Sequence, residues 1–247
     1  MIHFFRRIRQ GLLSQNRFSK YLLYAIGEIL LVVVGILIAL SINNWNEERK
    51  QKRTMINYYQ QLLEEFKLDT TDIRPQLNRL AGSMAKYKAY MDGYNKPNLT
   101  IEQVLENINQ IDPTFKTIEF NTQTIKVLEN TGEIKFFPQH IKNKLINLKN
   151  NISIYQKSSP NRYDFYMNMR NKTIILRGVA SSIGNVLANQ KPLAKALSVE
   201  KNFAYDIAVL HEAFDMKNFA ERNDVRQLNE ISSLMLELIS LILKELK

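Results

Sequence analysis

The chain has 247 residues, 34 Lys and Arg against 24 Asp and Glu, a formal charge of +10, and no cysteine. The missing cysteine excludes disulfides, thiolate zinc sites, iron–sulfur clusters and acylation of a lipoprotein cysteine, and it leaves the compartment open. Much of the charge imbalance sits at the start, where Arg6, Arg7, Arg9, Arg17 and Lys20 face no acid, and no later basic stripe with interleaved aromatics points to nucleic acid.

Residues 1–20 combine those bases with Ile2, Phe4, Phe5, Ile8, Leu12, Leu13 and Phe18. They read as a basic amphipathic cytoplasmic segment lying on an anionic leaflet, or equally as a plain topology signal. Residues 21–42 (YLLYAIGEILLVVVGILIALSI) are apolar apart from Glu28 and a few small or aromatic polar positions. At a rise of ~1.5 Å per residue they span ~33 Å, the hydrocarbon thickness of a bilayer. Ala39-Leu40-Ser41 would serve as a cleavage site, but the length of the run and of its basic leader favours an uncleaved anchor. The positive charges preceding it place the N-terminus in the cytoplasm. The expectation is a single-pass protein of a bacterial inner membrane with its C-terminal domain in the periplasm, and the lipid bilayer is its first partner. Tyr21, Tyr24 and Trp45 fall where interfacial aromatics belong, with Trp45 as the interface anchor.

Glu28 is the one carboxyl inside the run. A charge at that depth costs on the order of 2.5–3.5 kcal/mol on insertion scales, so the group is expected to be protonated or paired. Tyr21 and Tyr24 precede it on its helix face, and Gly35 and Ala39 follow on the same face as a small-xxx-small pair. Tyr21, Tyr24, Glu28, Gly35 and Ala39 thus form a candidate interaction face for a second membrane helix, either another protein of the envelope or another copy of the chain. The plainer reading is a neutral Glu tolerated near the headgroups.

Residues 43–94 read as a long stalk or bundle helix. Tyr59, Leu63, Phe66, Ile73, Leu77, Leu80, Met84, Tyr87, Met91 and Tyr94 recur in steps of four and three, with Thr70 as the only polar member of the series. Pro75 is expected to kink this helix or to open a new one. Such a helix packs on its own domain or forms an intermolecular coiled coil, and a Tyr-rich seam favours the first. Residues 95–247 read as a helical bundle domain. Asp92–Pro97 is a loop, and Thr100 with Gln103 forms a capping box opening a helix to Gln110. Thr122 caps a helix ending at Gly132, and Pro138 opens another that Ser158-Ser159-Pro160 should end. A helix from Asn161 to about Asn189 follows, then one over residues 199–212, then one from Lys217 or Asp224 onward. Leu234–Leu243 is too short to span a bilayer and reads as a core helix with room for a dimer contact. Ile118–Phe120 is the likeliest extended stretch. The fold class expected is all-α: a transmembrane helix running into a long stalk helix, followed by an irregular bundle of six or seven further helices.

Catalytic patterns are missing from the sequence. His3, His140 and His211 are far apart in the chain, and only His211 has an acid at helical spacing, Asp215. There is no HExxH, GxSxG, SxxK or phosphate-cradling loop, so no catalytic residue, metal or cofactor is assigned and the protein is read as a non-enzyme. A ligand-binding or sensory module would need a pocket with convergent polar groups, and Tyr163, Tyr166, Arg170, Arg177 and Tyr205 are the candidates for one. A device driven by titration of Glu28 and an unrecognised hydrolase are the remaining alternatives.

The segment from Phe18 to Lys50, with Tyr24, Gly27, Glu28, Gly35, Asn43, Asn44, Trp45 and Asn46, resembles the N-terminal signature of an uncharacterised family of bacterial single-pass membrane proteins of flavobacterial type. Residues 121–132 are similar to that family's threonine-to-glycine helix. The resemblance implies an anchored helical domain and supplies no activity. It marks Glu28 and the Asn-Asn-Trp-Asn exit as family features. The functional expectation is a membrane-anchored interaction or scaffold protein, an accessory subunit of an envelope complex.

Overall fold

The computed structural model describes residues 18–177, 189–196 and 199–247. Residues 1–17 of the expected amphipathic segment and residues 178–188 of the helix expected from Asn161 to about Asn189 lie outside the described residues. Within them the chain is all-α, with no strand: α1 (Phe18–Gly93), α2 (Ile101–Asn109), α3 (Gln123–Asn130), a 3₁₀ turn (Glu133–Phe136), α4 (Gln139–Arg177), α5 (Lys191–Ala196) and α6 (Val199–Glu245). The chain divides into two compact units, residues up to Asn57 and Tyr58–Lys247.

In the first unit the apolar side chains face outward all round the helix: Leu23 and Leu31 are each 70% exposed. No part of its apolar window is buried inside the protein, and the helix is long and apolar enough to cross a membrane.

The second unit is built on three long helices. Ser159 with Asp224 and Lys144 with Glu237 set α4 antiparallel to α6. Ser83 with Glu221 and Tyr90 with His211 set α1 antiparallel to α6 as well. The bundle part of α1 and α4 are therefore parallel, so the chain must travel back between them, which residues 94–138 do. Along α1 this return segment meets Gln76 through the Lys116 carbonyl, Asp69 through Asn121, Glu65 through Thr124 and Tyr58 through Glu133. Along α4 it meets Tyr166 through the Pro113 carbonyl, Tyr163 through the Phe115 ring and Tyr155 through the Ile118 amide. Ile118–Phe120 is extended but pairs with no strand; side chains hold it instead.

The inner stripe of α1 departs from the expected heptad in an informative way. Tyr59, Leu63, Phe66, Ile73 and Leu80 are buried as expected. The intervening buried positions are Leu62, Asp69, Gln76, Ser83 and Tyr90, each one residue before or after the apolar candidates of the sequence pattern. Thr70, Leu77 and Met84 are only half-buried and Met91 is exposed. Three members of the true stripe are polar, so hydrophobicity could not find it. They are tolerated because each is hydrogen-bonded, which removes most of the cost of burial.

The break expected at Pro160 does not occur, since Pro160 lies inside α4. Pro75 lies inside α1, in keeping with one long helix and not with a new one opening there. A proline forfeits one backbone bond, but Tyr155, Ser159 and Tyr163 around Pro160 are fully buried, and this packing outweighs the local loss. The two expected terminal helices are one, α6, because Lys217 and Asp224 are buried partners and not helix starts. The capping box at Thr100 and Gln103 forms in both directions. Thr122 makes no side-chain cap. Glu65 of α1 supplies it, accepting from the Thr124 amide at 3.0 Å and its hydroxyl at 2.9 Å. Gly132 takes the left-handed backbone (φ 71°) that ends this short helix region. Gly93 answers to space: a Cβ there would lie 2.3 Å from Asn107 Oδ1, whose amide donates to the Tyr90 carbonyl.

Candidate functional site

On the apolar helix Tyr24, Gly35 and Ala39 are exposed and Glu28 is half-buried, while the side chain of Tyr21 lies outside the described ones. Neither Gly27 nor Gly35 has any atom within 4 Å of where a Cβ would stand, so the surface there is smooth and open to a close neighbour. Trp45 is 62% exposed, with the Arg49 guanidinium 5.3 Å from its ring centroid.

The five residues considered for a ligand pocket are spread between core and surface. Tyr163 and Tyr166 are fully buried in one aromatic cluster with Tyr90 and Phe214. Phe115 stacks on Tyr163 at 4.6 Å, and the Tyr166 hydroxyl donates to the Pro113 carbonyl at 3.0 Å. Burial pushes both phenols up, Tyr166 to about 12. Arg170 is half-buried, Tyr205 is 60% exposed, and the side chain of Arg177 lies outside the described ones.

Sequence reasoning missed two polar clusters in the bundle. In the first, Lys217 and Glu221, both almost fully buried, form an ion pair one helical turn apart on α6. Ser83 of α1 bridges them, accepting from Lys217 Nζ at 2.7 Å and donating to Glu221 at 2.6 Å. Next along α6, Asp224 accepts from Ser159 at 2.8 Å and from Arg162 at 2.6 Å. Lys217, Glu221 and Asp224 are buried and each finds a partner here, while Arg162 reaches partly to solvent, so the cluster fixes how the helices face each other. The charge spacing of Lys217 and Glu221 is visible in the sequence; their burial is not.

The second cluster reaches the surface. Tyr90 Oη lies 3.0 Å from His211 Nδ1, His211 Nε2 lies 3.8 Å from Asp215, and the Tyr87 hydroxyl donates to the same carboxylate. A groove of about 370 Å³ opens beside it, lined by Met91, Tyr94, Ile207, Ala208, His211 and Glu212 among others. The pairing of His211 with Asp215 was visible as helical spacing; Tyr87 and Tyr94 were visible only as members of a Tyr-rich seam, and Tyr90 lay outside that pattern. A second shallow groove lies between Glu64, Glu65 and Leu68 of α1 and Asn121, Gln123 and Val127. Among the described residues no group of three His, Asp or Glu side chains is placed to hold a metal ion.

These features define a helical protein with one apolar membrane-type helix and a bundle stitched by internal polar contacts. Residues 28–136 match the model of a family of unknown function, DUF6090. The match starts at Glu28, covers the rest of α1 and most of the return segment, and stops before α4. No curated protein and no solved structure matches the chain.

Proposed function

We propose that this is a bacterial membrane-anchored interaction protein. It crosses the inner membrane once through residues 21–42, with its N-terminus in the cytoplasm and its bundle in the periplasm, and serves as an accessory subunit or scaffold of an envelope complex. The observation carrying this reading is the apolar window of α1, none of which is buried within the protein. An apolar surface exposed on every side is unfavourable in water by roughly 25 cal/mol per Å² and favourable in lipid. Glu28, Tyr24, Gly35 and Ala39 on one face give that span a polar contact and a smooth surface for a second helix.

The test is recovery of partners from mild-detergent extracts of cells expressing the intact protein or Glu28→Gln. A specific membrane protein retained by the first and lost from the second is the expected result. Identical partners for both, or only a self-oligomer unaffected by the substitution, would remove Glu28 from the account. A second reading, a ligand-binding module, is favoured by the groove beside His211.

A further inference from the structure

The groove at the α1–α6 seam has a definite chemistry. Its volume of about 370 Å³ falls at the lower end of small-molecule sites. The rings of Tyr94 and His211 meet across it at 86°, with centroids 6.3 Å apart, and so form a corner. Tyr90, fully buried behind them, holds that corner by an edge-to-face contact with Tyr94 at 5.1 Å and the 3.0 Å contact with His211. With the Tyr90 phenol donating to Nδ1, the imidazole proton sits on Nε2 facing Asp215, and Tyr87 completes the carboxylate's partners. Met91, Ile207 and Ala208 add apolar wall, and the exposed carboxylate of Glu212 lines the rim. Among the described side chains no Lys or Arg lines it.

We propose that this groove binds a small soluble organic cation, an amine or quaternary ammonium with a short apolar body. Aromatic faces set at right angles attract a cation through their quadrupoles, and a carboxylate at the rim completes the charge match. The apolar wall accommodates the alkyl part, and the limited volume excludes larger ligands.

Isothermal titration calorimetry of the full-length protein in maltoside micelles tests this with two probes of equal shape, choline and uncharged 3,3-dimethylbutan-1-ol. Saturable binding of choline, at least about tenfold tighter than that of the alcohol, is expected. Glu212→Gln, at an exposed position where folding is not at stake, should weaken choline several-fold and leave the alcohol unchanged. Ala208→Leu, also exposed, should abolish both. The proposal is overturned by the lack of saturable choline binding up to ~50 mM, by equal affinity for the two probes, or by indifference to Glu212→Gln. Loss of choline binding in phosphatidylcholine nanodiscs, with retention in phosphatidylglycerol nanodiscs, would assign the groove to a lipid headgroup and overturn the soluble ligand.

Discussion

One uninterrupted helix, α1, carries two opposite arrangements. In residues 22–42 apolar side chains point outward in every direction, and in residues 58–93 the inward stripe admits Asp69, Gln76 and Ser83. The first arrangement requires an apolar surrounding and asks nothing of rotation about the helix axis. The second fixes rotation and register, because a hydrogen bond has direction and an apolar contact has little. Apolar positions repeating every seventh residue (Tyr59, Phe66, Ile73, Leu80) would look alike after a seven-residue slip of the helix. The bonds to Asn121, to the Lys116 carbonyl and to Glu221 would not survive it. The lesson is that the polar members of the stripe supply its specificity.

The largest effect that could break this contrast lies at the sealed ion pair. Glu221→Ala leaves Lys217 charged, buried and unpaired, which should cost about 3–5 kcal/mol and lower the unfolding midpoint sharply. The double replacement Lys217→Met with Glu221→Leu should recover most of that loss. Thermal melts followed by circular dichroism read both, and a single variant as stable as the double one would deny the pair its place. A slightly smaller effect is expected in the span, where Val33→Arg should oppose insertion by about 2.5–3.5 kcal/mol while the bundle still folds. Carbonate extraction of membranes checks it; undiminished membrane retention would show that residues 22–42 are not in lipid.

The smallest effect sharpens the comparison within the ladder. Burial raises the Asp69 carboxyl from 3.8 to about 6, against the lowering effect of its bonds from Asn121. A raised folded-state value means that the folded protein holds its proton more tightly. The corresponding stability is complete below the unfolded value and is lost as pH rises through about 6. Wild type should therefore gain on the order of 1–3 kcal/mol relative to Asp69→Asn between pH 7.5 and pH 4. Parallel denaturant titrations at the two pH values would measure it, and curves that move together would assign the pH dependence to other groups.

Much of the fold was legible because its signals were local. The capping box at Thr100, the helix class, the apolar run and every seventh position of α1 follow from short-range pattern. What was not legible depended on partners distant in sequence. Asp69, Gln76 and Ser83 look like surface residues until Asn121, Lys116 and Glu221 are known to face them. Pro160 looks like a helix end until the burial of Tyr155 and Tyr163 is set against it. The groove at His211 draws its walls from α1 and α6, and only the pair of His211 and Asp215 was within reach of a spacing rule. Tyr163 and Tyr166, read from the sequence as candidates for a binding site, lie fully buried in the aromatic cluster, a placement no spacing rule gives.

The contact of Ser83 with Glu221 closes a loop of 138 residues, and that of Tyr90 with His211 one of 121. During synthesis Ser83 and Tyr90 of α1 therefore wait for α6, while Asp69 and Gln76 meet the return segment earlier. At ~5–20 residues per second that wait is on the order of ten seconds. The return segment docks earlier on α1 but still lacks one wall until α4 and α6 arrive. Closure of the core is thus a late event, and the nascent chain carries an unfinished core until α6 is made.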